Sequence, residues 1–82
     1  MKEFIEYLVK SLVKNPEAVT VTESGEGTNL KYLISVAQDD MGLIIGKEGR
    51  TINSIRFLAK ARAVKENIWV DVELVDVNAQ NA

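Results

Sequence analysis

The 82-residue sequence contains no cysteine and no histidine, and those two absences remove most of the ordinary chemistry of active sites. Without cysteine there is neither a disulfide framework nor a thiolate nucleophile. Without histidine the usual general base and the commonest metal ligand are both missing. Ser11, Ser24, Ser35 and Ser54 then have nothing to activate them, so the chain reads as a non-enzyme that needs no cofactor and no small-molecule substrate. No apolar run approaches the roughly 18 residues of a membrane span, and Glu3 and Glu6 near the start are unlike a secretory signal. A cytoplasmic protein with no membrane partner is expected.

Hydrophobic residues make up 46% and charged residues 27% of the chain, too apolar for disorder and close to an ordinary globular composition. A chain this short buries only about 60–65% of its unfolded surface, enough for one small core. The formal net charge is −2, which argues against a nucleic-acid binder if only the total is considered. The distribution differs from the total. Lys47, Arg50, Arg56, Lys60, Arg62 and Lys65 face only Glu48 and Glu66 between residues 46 and 66, whereas the rest of the chain carries four cations and ten anions. Local fields steer ligands more than net charge does, although from charge alone a solvated helix face is the better account of such a cluster.

Along the chain, Phe4, Ile5, Leu8, Val9 and Leu12 recur at helical spacing, predicting an amphipathic helix over residues 2–14 that Asn15-Pro16 ends. Ala18 to Thr22 reads as a strand with Val19 and Val21 on one face. Ser24 to Asn29 reads as a polar connector, and Leu30, Tyr32, Ile34 and Val36 alternate as a second strand paired with the first. Gln38-Asp39-Asp40 offers an N-cap for a short helix carrying Leu43, Ile44 and Ile45; a metal site there lacks the further carboxylates of an oxygen cage. A long helix is predicted from Arg50 to Ala63 or Val64, with Ile52, Ile55, Leu58 and Ala59 inward and Arg56 and Lys60 outward. Ile68, Val70, Val72 and Leu74 alternate as a third strand that places Trp69 on the polar side. The order is α-β-β-α-α-β. It predicts an α+β domain over residues 1–77, with a three-stranded sheet covered on one face by helices, and a frayed tail at 78–82.

Chemistry concentrates at Gly46-Lys47-Glu48-Gly49, between the apolar run Leu43-Ile44-Ile45 and the amphipathic segment from Arg50. Gly46 suits the left-handed backbone that closes a helix, and Gly49 leaves main chain bare where the next helix begins. Lys47 on the turn, with Arg50 behind it and the positive end of the helix beneath, suits phosphate oxygens. A P-loop is excluded, because three residues rather than four separate Gly42 from Gly46 and Glu48 stands where Ser or Thr would hold magnesium.

Ile44-Ile45-Gly46-Lys47-Glu48-Gly49 resembles the Ile-Ile-Gly-X-X-Gly core of KH domains, whose loop clamps a short run of nucleotides by their backbone. An α-β unit before a β-α-α-β core resembles the type II KH topology, with a mixed sheet in which two strands run parallel. Because one KH unit accounts for nearly the whole chain, the nearest likeness is the KhpA family of small bacterial KH-domain proteins. That resemblance implies single-stranded RNA binding and RNA chaperone activity. It also implies a homodimer, or a pairing with the larger KH-domain protein KhpB (Jag, EloR), in post-transcriptional regulation linked to cell elongation and envelope homeostasis. By position, Gly46, Lys47, Glu48 and Gly49 would form the clamp, Arg50 would assist with phosphate, and Ile44 and Ile45 would wall the groove for bases. Glu48 departs from loops with cations at both variable positions, which implies modest affinity. Single-stranded DNA binding and a purely protein-binding KH fold are the alternatives.

Overall fold

The computed structural model describes residues 1–75; the end of the predicted domain and the expected frayed tail lie outside that range. Three α-helices and three strands occur among the described residues, in the order α1 (Lys2–Lys10), β1 (Thr20–Glu26), β2 (Asn29–Ser35), α2 (Met41–Ile45), α3 (Arg50–Glu66) and β3 (Trp69–Leu74). The sheet order is β1-β2-β3. β1 pairs antiparallel with β2, placing Val21 opposite Ile34, and β2 runs parallel to β3, with Tyr32 beside Val72. This is the mixed sheet of a type II KH fold, as expected.

Period-two alternation decides which sheet face is covered. Val21, Tyr32, Ile34 and Val72 are buried, whereas Thr20, Thr22, Asn29 and Asp71 are exposed on the other side, and Trp69 and Glu73, also exposed, stand at the open edge of β3 where they border hollows beside the helices. Ile5 and Val9 from α1, Ile44 from α2, and Ile52, Ile55 and Ala59 from α3 complete one core. Arg62 lies 5.3 Å from the centroid of the Phe4 ring and fastens α1 to α3. The Tyr32 hydroxyl donates to Glu23 at 2.6 Å. Burial first, then this bond and the Glu23 charge, raise the tyrosine pKa far above its ordinary value.

Several expectations shift. α1 stops at Lys10 rather than at residue 14, because the Lys14 and Asn15 amides donate to Asp40, at 3.1 and 3.0 Å, instead of continuing the helix. Pro16 opens a single 3₁₀ turn through Ala18, so β1 begins at Thr20. Proline's fixed φ suits the first position of such a turn as well as it suits extended chain. The polar segment at Ser24–Asn29 is mostly strand. β1 and β2 continue pairing to Glu26–Asn29 and leave a two-residue turn at Gly27-Thr28, since polar residues on an uncovered sheet face forgo no burial. Leu58 is 42% exposed rather than inward, and Ala63 takes the buried position. Asp40 makes no side-chain cap for α2. Fully buried, it accepts from both amides and from Asn15 Nδ2 at 3.1 Å, tying the α1–β1 connection to the start of α2.

Candidate nucleic-acid interface

The turn between α2 and α3 is built almost entirely from positive-φ backbone. Gly46 ends α2 at φ 74°, ψ 175°, a conformation open to glycine rather than the left-handed helical cap that was expected. A Cβ there would lie 2.8 Å from the Thr51 amide nitrogen and closer still to the Thr51 side chain. Glu48 and Gly49 follow in left-handed helical geometry, at φ 57° and 76°, and a non-glycine residue there costs roughly 1–2 kcal/mol. The Gly49 amide donates to the Gly46 carbonyl at 3.2 Å, and the Arg50 amide donates to Lys47. These bonds close the turn and aim it.

Gly46 and Gly49 differ in what surrounds them. The space a side chain would fill at Gly46 is taken by Thr51, so that glycine lets α3 begin close against the end of α2. At Gly49 only Asn53 Nδ2 comes near, at 3.7 Å, and no side chain caps the first turn of α3. Gly49 is therefore uncrowded by side chains, though half-buried and with its amide already bonded to the Gly46 carbonyl, at the positive end of a 17-residue helix. Lys47, Glu48 and Arg50 are exposed around it. Arg50 Nη2 sits 3.7 Å from Glu48 Oε2, and both side chains are so exposed that the pair is weak. It partly offsets the acid without locking the arginine.

Beside the turn lies a cleft of about 410 Å³ lined by Met41, Ile45, Ile52, Arg56, Glu73 and Leu74. Ile45, 40% exposed, opens onto it. Ile44 does not: expected at the groove wall, it is fully buried, because the short α2, packed against α3, turns it into the core, so it supports the cleft from within. Arg56, expected outward, lies across the cleft. Its Nε donates to the Val72 carbonyl at 2.9 Å and Nη1 to Asn53 Oδ1 at 3.1 Å, which joins α3 to the open edge of β3. Its place beside Ile52 and Ile55 in the helical period put it on the border of the buried face, and that was the one available signal. Among the described residues no cluster of acidic side chains could hold a metal ion, and no helix is long and apolar enough to cross a membrane.

Comparison with known proteins agrees with this geometry. The family model described as KhpA/KhpB, KH domain matches residues 2–74. RNA-binding protein KhpA of Chlamydia trachomatis is 48% identical over 77 residues, covering 93% of this chain and 97% of that protein. RNA-binding protein KhpA of Clostridium perfringens is 44% identical over 75 residues, 92% of this chain and all of that protein. Among solved structures, Era of Aquifex aeolicus resembles the fold with a TM-score of 0.65 at 20% identity, over 93% of this chain and 31% of that one. Era in complex with MgGDPNP and nucleotides of 16S ribosomal RNA gives 0.59 at 19%, over 93% of this chain and 30% of that one. The chain thus spans about a third of those structures, and they share its fold alone. A family match from α1 to the end of β3, with relatives alike over nearly their full length, settles the lineage: the chain belongs to the KhpA/KhpB KH-domain family.

Proposed function

We propose that the protein binds single-stranded RNA. The Gly46–Gly49 turn would hold the strand's backbone while bases lie along the cleft of Ile45, Met41, Ile52 and Leu74. The observation that carries this reading is the half-buried Gly49 main chain at the start of α3, uncrowded by side chains, between Lys47 and Arg50 and next to an open cleft with Met41, Ile45, Ile52 and Leu74 in its walls. Backbone amides and cations grip phosphate, and an apolar wall accepts base faces. Relatives named as RNA-binding proteins support RNA over DNA, since phosphate contacts do not distinguish the sugars. Titrating a labelled single-stranded RNA should give binding that weakens about fivefold when salt is raised threefold, the slope of two neutralised phosphates on a single strand. Binding indifferent to salt would contradict a phosphate clamp.

The reading extends to an RNA chaperone that works in the cytoplasm as a pair, with a second copy or with the larger KH-domain protein KhpB, in post-transcriptional control of cell elongation and envelope homeostasis. A pairing surface has support of its own. Phe57, 71% exposed, and Leu58 share the outer side of α3 with Ala61, opposite the buried row of Ile52, Ile55, Ala59 and Ala63. An apolar stripe away from the core suits a partner. Sedimentation should find a dimer, and Phe57→Glu should make it monomeric at an unchanged melting temperature. A parent protein that stays monomeric alone and with KhpB would remove the pairing.

A further inference from the structure

α3 and β3 run back along each other, and Arg56 bridges them at the Val72 carbonyl, at the end of the cleft beside the turn. Beyond lies a second hollow of about 520 Å³, lined by Lys60, Ala63, Val64, Asn67, Ile68, Trp69 and Val70. Trp69 is 75% and Val64 77% exposed. Such an uncovered tryptophan on a strand is a large apolar surface left in water. Arg56 and Lys60 place a cation on successive turns of α3 along this side, and Lys60 has no ion-pair partner among the described residues. Glu73 adjoins the near cleft and is paired with Lys31 at 3.2 Å. The cleft and the hollow thus lie along one α3–β3 seam about 20 Å long, from the rise of α3 between Arg50 and Val64, with Arg56 and Lys60 on the helix side, Asp71 and Glu73 on the strand, and an aromatic face at the far end.

We propose that the Trp69 hollow is an additional nucleobase subsite. A base of the strand held at Gly46–Gly49 stacks on the indole there, and Lys60 neutralises a phosphate between the two sites. This rests on the RNA-binding reading above and lengthens its footprint beyond the roughly four nucleotides that a Gly-X-X-Gly loop clamps. Stacking on an aromatic side chain is tolerant of sequence, because every base has a π-face. The subsite thus adds affinity for longer strands without a sequence requirement at that position.

Trp69 is the sole tryptophan of the chain, so its emission reports on this hollow alone. The test titrates single-stranded RNA of about four nucleotides, and of twice that length, into the full chain, following both affinity and tryptophan fluorescence. The longer strand is expected to bind about tenfold more tightly and to change the emission, whereas the short one binds without changing it. Trp69→Ala should abolish the length gain, leave binding of the short strand intact, and keep the melting temperature, since the side chain is exposed. Trp69→Phe should restore most of the gain, as a stacking surface would and a merely structural role would not. Equal affinity for both lengths, or a length gain that survives Trp69→Ala, overturns the subsite while leaving the clamp standing. If neither strand binds, the RNA-binding reading falls and the subsite falls with it. Emission that changes with protein concentration alone, before RNA is added, assigns the hollow to a second copy and overturns the proposal.

Discussion

Lys47→Asp combined with Glu48→Asp is expected to weaken single-stranded RNA binding by about a hundredfold or more, while the melting temperature stays within a few degrees. The binding loss has two sources. A charge-assisted contact to phosphate contributes about 1.5–3 kcal/mol, and an aspartate in its place adds repulsion beside the strand. The fold is spared for local reasons. Lys47 and Glu48 are exposed, and Glu48 occupies left-handed backbone, which aspartate tolerates better than glutamate does. The Arg50 pairing at 3.7 Å contributes little to stability. Fluorescence anisotropy and thermal denaturation of the same preparation check both halves. A variant that binds as the parent does would show that the turn only connects two helices.

Asp40 is expected to dominate stability as the turn dominates binding. Asp40→Ala leaves the Lys14 and Asn15 amides without their acceptors inside the protein, and the melting temperature should fall by at least roughly ten degrees. Asp40→Asn should also destabilise, since its amide group turns a donor toward donors. The charge has a pH signature. Burial raises the Asp40 pKa, but hydrogen bonds from the Lys14 amide and from the Asn15 side chain and amide, with the Lys14 charge, outweigh it and hold the pKa below the ordinary carboxylate value. A pKa depressed in the folded state contributes stability above the unfolded value, about 4. That contribution disappears as pH falls through the lower folded value. Between neutral pH and about pH 3, the parent should therefore lose more stability than Asp40→Asn. Parallel losses in thermal denaturation would contradict a buried charged carboxylate.

Local signals made the centre of the molecule readable. Two glycines three residues apart, an apolar run on one side and helical periodicity on the other fixed the Gly46–Gly49 turn between two helices. Alternation at Tyr32, Ile34, Val70 and Val72 located the strands. What escaped involves partners distant in the chain. The bonds from Asp40 to Asn15 span 25 residues, so a carboxylate that holds a loop together looked like a helix cap. Arg56 reaches Val72 across 16 residues, so a side chain that lies across the cleft looked like a solvated cation. Ile44 and Ile45 are adjacent and chemically alike, and only the rotation of α2 against α3 separates a core residue from a groove wall. At Ser24–Asn29 composition misled, because polar strand on an open sheet face has no apolar side to announce it.

The central claim is that bare main chain at the start of α3 grips a polynucleotide. It is tested most directly by adding short single-stranded RNA to isotopically labelled protein and recording which backbone amides respond by NMR. The account predicts that the largest shifts fall on Lys47 to Arg50, with Ile45 and Arg56 following along the cleft and the open sheet face at Thr20 and Thr22 unmoved. Shifts concentrated on that face, or a Gly49 amide unchanged at saturating RNA, would contradict it.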